Sequence, residues 1–92
     1  MADLLKIKIL SPNDVIFQGQ ARSVSSKNSF GNFDILPYHA NFITMVQKEP
    51  IIVRDEKNKP VKYDFPLAII YSANNEVKVY TDIVPQNDKP KL

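Results

Sequence analysis

The sequence predicts an all-β fold, a small antiparallel β-sandwich or flattened barrel of roughly nine to ten short strands. Apolar and polar residues alternate near both ends of the chain, at residues 5–9 and 76–79. Between these ends, short runs rich in Val, Ile, Phe, Tyr and Thr follow one another, separated by turn residues. No segment of about 10–12 residues shows a helical period. NFITMVQKE comes nearest, but its β-branched and aromatic content favours a strand.

The strands follow in order from this pattern. The first contains Leu5, Ile7 and Ile9 with lysines between them, and the last contains Val77 and Val79. Each therefore has one apolar and one polar face. The runs predicted as strands between them are DVIFQ (14–18), ARSVSS (21–26), NFDIL (32–36), NFITMV (41–46), IIVRD (51–55), VKYDF (61–65) and LAIIYS (67–72).

Turn residues separate these runs. SPND (11–14) ends the first strand, and QGQ (18–20) is expected to break the second. EKNKP (56–60) predicts a polar hairpin connection, and ANNE (73–76) predicts the last turn, because Asn tolerates a left-handed backbone. Pro66 cannot donate a hydrogen bond to a ladder, so it is expected at an edge, a bulge or a break.

A chain of 92 residues is expected to form one domain, to which we assign residues 1–84. The tail PQNDKPKL (85–92) is polar and contains proline, so we expect it to be disordered or extended. The chain has no cysteine, which excludes disulfides and thiolate metal sites. We find neither an apolar run of about 20 residues nor a signal peptide, and we expect an intracellular protein.

The charge distribution does not favour nucleic-acid binding. The net charge is +2, and the twelve Lys and Arg residues are interleaved with ten Asp and Glu. A nucleic-acid footprint would concentrate basic side chains on one stripe. A second hypothesis nevertheless stays open: a small β-barrel that binds single-stranded nucleic acid through Tyr38, Phe42 and scattered lysines, or that binds another protein.

His39 is the only histidine, and it raises the question of catalysis. An enzyme could use it as a general base oriented by Asp34. No nucleophile or second acid accompanies it in the sequence, and a metal site normally needs three or four ligands. We therefore expect no catalytic site, no metal and no cofactor, and we interpret His39 as a structural or interface residue on the turn after Pro37.

The aromatic residues around His39 allow two roles. Phe33 shares strand parity with Ile35 and is expected in the core. Phe30, Tyr38 and Phe42 lie on or beside predicted turns, where an aromatic side chain either clamps the edge of the core or contacts a partner. A contact role is favoured for Phe30, which stands at a turn tip just before Gly31.

The segment FDILPYHA (33–40) closely resembles the signature G-I/V-L-P-G-H-A-P of the epsilon subunit of F-type ATP synthases. The order of further matches supports this resemblance, which covers about residues 4–84. Asp34 and Tyr38 stand where the family has glycines, and Asn41 stands where it has proline. The further matches are the strand ending in Ser11-Pro12, then Phe17 and Gly19, Ser23-Val24, the strand of Thr44, and Val77, Val79 and Asp82.

The resemblance implies a non-catalytic subunit of the central stalk, or rotor. Such a subunit couples the gamma subunit to the membrane ring of c subunits during proton-driven ATP synthesis. It would lie at the cytoplasmic face of the bacterial inner membrane, or on the equivalent side in an organelle, and would meet the membrane only through the complex. Family members usually carry a C-terminal helical hairpin associated with inhibition of ATP hydrolysis, and we expect this chain to lack it.

The resemblance also implies which residues contact these partners. By position in the family pattern, Ser29, Phe30, Gly31 and Asn32 would face the polar loops of the c-ring. Pro37, Tyr38 and His39 would lie where the signature loop meets the gamma subunit and the ring. Ser11 and Thr44 are further candidates for the side that faces gamma.

Overall fold

The computed structural model describes residues 3–81, which form nine β-strands in two sheets. The all-β prediction and the predicted number of strands are confirmed. Residues 3–81 contain no helix, and therefore none that is long and apolar enough to cross a bilayer. The tail at 85–92 lies outside the described residues. The strands are β1 (Leu5–Leu10), β2 (Val15–Ala21), β3 (Ser23–Asn28), β4 (Gly31–Ile35), β5 (Phe42–Gln47), β6 (Pro50–Arg54), β7 (Pro60–Asp64), β8 (Leu67–Ala73) and β9 (Glu76–Thr81).

The two sheets differ in their number of strands, and only the larger one contains a parallel pair. The five-stranded sheet has the order β2-β1-β9-β8-β5, and the four-stranded sheet has the order β4-β3-β6-β7. All pairs are antiparallel except β1 and β9, which pair in parallel with Ile7 beside Val77. A parallel pair needs a long crossover connection, and here the crossover is the whole intervening chain. The first and last strands are thereby joined at the centre of the larger sheet.

The core lies between the sheets and follows the period-two pattern of the sequence. Because successive side chains of a strand point to opposite faces, alternate residues are buried along β1, β6, β8 and β9. Phe33 packs against this core and Ile35 belongs to it, as their shared parity predicted. The buried apolar residues are Leu5, Ile7, Ile9, Ala21, Val24, Ile35, Val46, Ile51, Val53, Ala68, Ile70, Val77 and Val79.

The expected break at residues 18–20 is wrong. Strand β2 continues through Gly19 to Ala21, and Gly19 pairs with Ile7 of β1. The absence of a side chain at Gly19 serves packing here, because a Cβ atom would lie 3.1 Å from Cζ of Phe17. The glycine therefore makes room for an aromatic ring on the inner face, and pairing with β1 maintains the strand.

The other turn predictions are confirmed. The β6–β7 hairpin is closed by Asp55, whose Oδ1 accepts hydrogen bonds from the backbone N–H groups of Lys57 and Lys59, each at 2.9 Å. These two bonds hold the pKa of Asp55 below its ordinary value of 3.8, and the bond from Lys59 has the larger effect. Pro66 lies in the break between β7 and β8. Asn74 and Asn75 both have positive φ angles, 53° and 61°, as the last turn requires.

Candidate functional site

Residues 29–32, called the tip loop below, comprise the two-residue turn between β3 and β4 and the first two residues of β4, and they present an exposed aromatic ring. Phe30 is 97% exposed. Its backbone N–H donates to Oδ1 of Asn28 at 2.8 Å. Gly31 has a φ of 126°, which side chains rarely allow, while a Cβ there would meet nothing within 4 Å. The glycine therefore sets the backbone of the loop rather than making space, and Phe30 projects from a defined turn with Ser29 and Asn32 exposed beside it.

The tip loop is also tied to the other sheet. Nδ2 of Asn28 donates to Oγ1 of Thr44 on β5 at 2.9 Å. Asn28 belongs to the four-stranded sheet and Thr44 to the five-stranded one, so this hydrogen bond bridges the sandwich. The predicted contact residue Thr44 is half-buried and holds the tip loop against β5.

Residues 36–40, called the signature loop below, form most of the connection between β4 and β5, and this loop is anchored at its centre. The N–H of His39 donates to the carbonyl of Leu36 at 3.1 Å and closes a turn. Tyr38 has a φ of 64°, so the left-handed backbone suited to a glycine is adopted by a tyrosine that is 70% exposed. The N–H of Tyr38 donates to Oδ1 of Asn75 at 2.8 Å, and Nδ2 of Asn75 donates to the carbonyl of Leu4 at 3.0 Å. One side chain thus ties the loop to the start of β1.

His39 makes structural contacts. Its ring meets the ring of Phe42 edge-on, with centroids 5.7 Å apart, and its Nδ1 lies 2.7 Å from the carbonyl oxygen of Ala40. The carboxylate of Asp34 accepts a hydrogen bond from the hydroxyl of Ser25 on the neighbouring strand. Neither residue has the other as a hydrogen-bond partner, so the acid–base pair that an enzyme would need is not formed. Within residues 3–81, no group of three His, Cys, Asp or Glu residues is arranged to hold a metal.

The aromatic residues divide between the two roles left open by the sequence. Phe42 packs between His39 and Phe33, and the centroids of the two phenylalanine rings are 5.3 Å apart. It is therefore a clamp at the edge of the core. Phe30 and Tyr38 are exposed and free to contact a partner. Pro37 is half-buried and fixes the direction of the chain before Tyr38.

Ser11 lies at the opposite end of β1 from the signature loop. It closes the β1–β2 turn, where its Oγ accepts a hydrogen bond from the N–H of Asp14 at 3.1 Å. The signature loop is tied to Leu4 at the other end of β1, and a six-residue strand is about 20 Å long. The predicted contact residues thus divide into one group beside β5 and a separate turn that holds Ser11.

Sequence reasoning missed the two residues that hold the loops, Asn28 and Asn75. Each had a local signal, since Asn is the residue type whose side chain bonds to backbone groups at turns. Asn28 stands two residues before Phe30, at the spacing of an Asx-turn, and Asn75 stands in the Asn-Asn pair. Their partners at Thr44, Tyr38 and Leu4 are distant in the chain, so only the fold could identify those contacts.

Comparisons with known proteins identify related sequences. Residues 4–86 match the family model described as the ATP synthase delta/epsilon chain, β-sandwich domain. The chain is 31% identical over 92 residues to an ATP synthase epsilon chain of Clostridium botulinum strain Eklund 17B and covers 69% of that protein. It is 30% identical over 83 residues to the epsilon chain of Clostridium kluyveri, with 90% of this chain and 63% of that protein covered.

Solved structures share the fold. The chain superposes with a TM-score of 0.80 and 15% identity on a chain of the Euglena gracilis mitochondrial ATP synthase, in a cryo-EM structure of OSCP, F1 and the c-ring. That match covers 94% of this chain and 56% of the other. A chain from the central stalk and c-ring of the Tetrahymena thermophila mitochondrial ATP synthase gives a TM-score of 0.68 at 11% identity, covering 83% of this chain and 61% of that one.

Proposed function

This chain belongs to the ATP synthase delta/epsilon family of β-sandwich domains, and we propose that it is a non-catalytic subunit of the central stalk of an F-type ATP synthase. In this role it couples the gamma subunit to the c-ring during proton-driven ATP synthesis. It lies at the cytoplasmic face of a bacterial inner membrane, or on the equivalent side in an organelle, and meets the membrane only through the complex.

The observation that carries this proposal is the construction of the tip loop. Phe30 is almost fully exposed, yet its loop is fixed by Gly31 and by the two hydrogen bonds of Asn28. An exposed aromatic ring on a preorganised loop loses little conformational entropy when it binds. We assign the tip loop to the c-ring, because it occupies the position that the family resemblance gives to the ring contact.

The signature loop is assigned to the junction of gamma and the ring. Its exposed residue, Tyr38, is held through Asn75 to β1 and to the β8–β9 turn, so a force on the loop passes into the central strands of the larger sheet. A coupling subunit transmits torque and needs contacts on rigid elements. The hydrogen bonds that fix both loops supply this rigidity.

Co-purification with the cognate gamma subunit tests the proposal. The wild-type chain is expected to form a stable complex with gamma, and the double variant Phe30→Ala, His39→Ala is expected to weaken assembly with the c-ring. The melting transition of the isolated variant should change little, because Phe30 is exposed and the His39–Phe42 contact contributes only about 0.5–1.5 kcal/mol. The proposal is refuted if the wild-type chain does not bind gamma.

A matched control separates a contact role from a general loss of apolar surface. Val61 lies on β7, is 42% exposed and belongs to neither loop. Val61→Ala should leave assembly unchanged. If it weakens assembly as much as the double variant, the two loops have no special role. If the double variant melts far below the wild type, Phe30 and His39 stabilise the fold instead of contacting a partner.

A further inference from the structure

Strand β5 lies at one edge of the five-stranded sheet, and within residues 3–81 it pairs with β8 alone. The N–H of Lys48 donates to the carbonyl of Pro66 at 3.1 Å, which continues the β5–β8 ladder just beyond the strand. The hydrogen-bonding groups of successive residues point to opposite sides of an antiparallel strand. The even-numbered residues of β5 therefore bond to β8, whereas Ile43, Met45 and Gln47 direct their N–H and C=O groups to the free side.

The edges formed by β2, β4 and β7 have features that hinder pairing with another chain. The β1–β2 ladder shifts register beside Leu10, and β4 carries Asp34. Strand β7 begins at Pro60 and carries Lys62 and Asp64. Bulges, charged side chains and proline are the devices by which natural sheets block their edges. Strand β5, with the sequence FITMVQ, contains no charge, proline or glycine, and its ladder with β8 is regular over six pairs. Among the strands of residues 3–81, β5 therefore forms the unprotected edge.

The outward-facing side chains of β5 are also available to a partner. Ile43 and Met45 are 67% and 54% exposed. A strand edge with free backbone groups pairs with an extended segment of another chain, and side chains of the two strands then pack beside each other. The occupant that suits this edge is a β-strand, because an extended backbone matches the spacing of a row of free N–H and C=O groups.

A second copy of β5 fits this edge best in one antiparallel register. With Met45 opposite Met45 of the second copy, Ile43 of each copy faces Gln47 of the other. These three pairs form six hydrogen bonds and use every free backbone group of the two edges. A shift by two residues in either direction leaves one residue of each copy opposite a position outside β5, which reduces the number to four. The pairing ends with Gln47, because Lys48 has a φ of 57° and leaves the extended conformation.

Charge does not oppose this register. The nearest charged residues, Lys48 and Glu49, follow β5, so the antiparallel arrangement places those of the two copies at opposite ends of the paired strands. Like charges therefore do not face each other across the pair, where they would be destabilising. The pairing is also closed, because a two-fold axis through Met45 relates the two copies and leaves no further edge of β5 free.

We propose that the free chain forms a two-fold symmetric dimer through antiparallel pairing of β5 with β5 of a second copy. The two larger sheets then join into one sheet of ten strands, with Met45 and Ile43 of both copies on its outward face. The dimer is a property of the free chain and does not rest on the proposed role in the central stalk.

Sedimentation equilibrium of the 92-residue chain tests for the dimer, and amide hydrogen exchange locates it. The dimer fraction should rise over a protein concentration of about 0.01–1 mM, because a single strand edge buries less surface than the interface of a stable dimer. Over the same range, the amides of Ile43, Met45 and Gln47 should become protected. The amide of Thr44 should stay unchanged, because it already donates to β8.

Charge variants at Met45 test the register. Met45→Lys and Met45→Glu should each weaken dimerisation about tenfold or more, because each places two like charges opposite each other at the two-fold axis. An equimolar mixture of the two variants should recover the dimer to within about threefold of the wild type, since the introduced lysine then faces the introduced glutamate. Tyr80→Lys is the matched control. Tyr80 and Met45 both lie beside Ile69, but Tyr80 is two strands away from the free edge, so this variant should dimerise like the wild type.

Four results would overturn the proposal. They are a wild-type chain that stays monomeric over the whole concentration range, protection that develops outside β5, a dimer that Met45→Lys leaves intact, and a mixture of the two charge variants that does not dimerise. The mixture also separates a lost contact from a lost fold, because two variants that failed to fold would not recover a dimer with each other.

Discussion

Replacing Asn75 by glycine should free the signature loop and lower the free energy of unfolding by about 1–3 kcal/mol. The side chain of Asn75 accepts from the N–H of Tyr38 at 2.8 Å and donates to the carbonyl of Leu4 at 3.0 Å. A net contribution of about 0.5–1.5 kcal/mol for each bond gives the stated range. Glycine tolerates the φ of 61° at this position, so the change removes the hydrogen bonds without adding backbone strain.

Chemical denaturation measures the loss of stability, and amide hydrogen exchange locates it. The exchange rate of the Tyr38 amide should rise, because Asn75 is its hydrogen-bond acceptor. The variant Asn75→Asp separates the contributions of the two hydrogen bonds, because it keeps the acceptor for the N–H of Tyr38 and loses the donor to the carbonyl of Leu4. The aspartate variant should therefore retain more protection at Tyr38 than the glycine variant, although the carboxylate now faces a carbonyl oxygen.

Asn74→Gly is the matched control. Asn74 is the neighbouring turn residue, with a φ of 53° and an exposed side chain. Its replacement should change the free energy of unfolding by no more than about 0.5 kcal/mol. The reasoning is refuted if Asn75→Gly costs no more than Asn74→Gly, or if stability falls while the exchange of the Tyr38 amide stays as in the wild type.

Three further outcomes are expected. Tyr38→Gly should raise the free energy of unfolding by up to about 1 kcal/mol, because glycine relieves the left-handed strain at φ 64°; a loss of stability on denaturation would contradict this. The stabilisation from Asp55 should be present above pH 3.8 and be lost as the pH falls further, since its pKa is lowered in the folded state. The free energies of unfolding of wild type and Asp55→Ala, measured by urea titration, should therefore converge as the pH is lowered from about 5 to about 2. A difference that stays constant over this range would contradict the assigned role of Asp55. Ile70→Ala, at a fully buried site, should lower the free energy of unfolding by about 2–5 kcal/mol, whereas Ile43→Ala on the exposed side of β5 should lower it by less than about 0.5 kcal/mol; equal losses would contradict the assigned faces.

The sequence by itself determined the local features of this protein. Alternation of apolar and polar residues identified the strands and their buried sides, because that period is a property of every extended chain. Asn, Pro and Gly identified most turns through their own backbone preferences. The order of short motifs around FDILPYHA identified the family, which the comparison over residues 4–86 confirms.

The tertiary structure decided what depends on contacts between distant residues. The sequence could not predict the parallel pairing of β1 with β9, nor the continuation of β2 through Gly19, since both follow from a neighbouring strand. It could not predict that Asn28 reaches Thr44 or that Asn75 holds Tyr38 and Leu4. Only the register of β5 with β8 shows that Ile43 and Ile69 share one face of the sheet, because these two strands are apart in sequence and adjacent in the sheet.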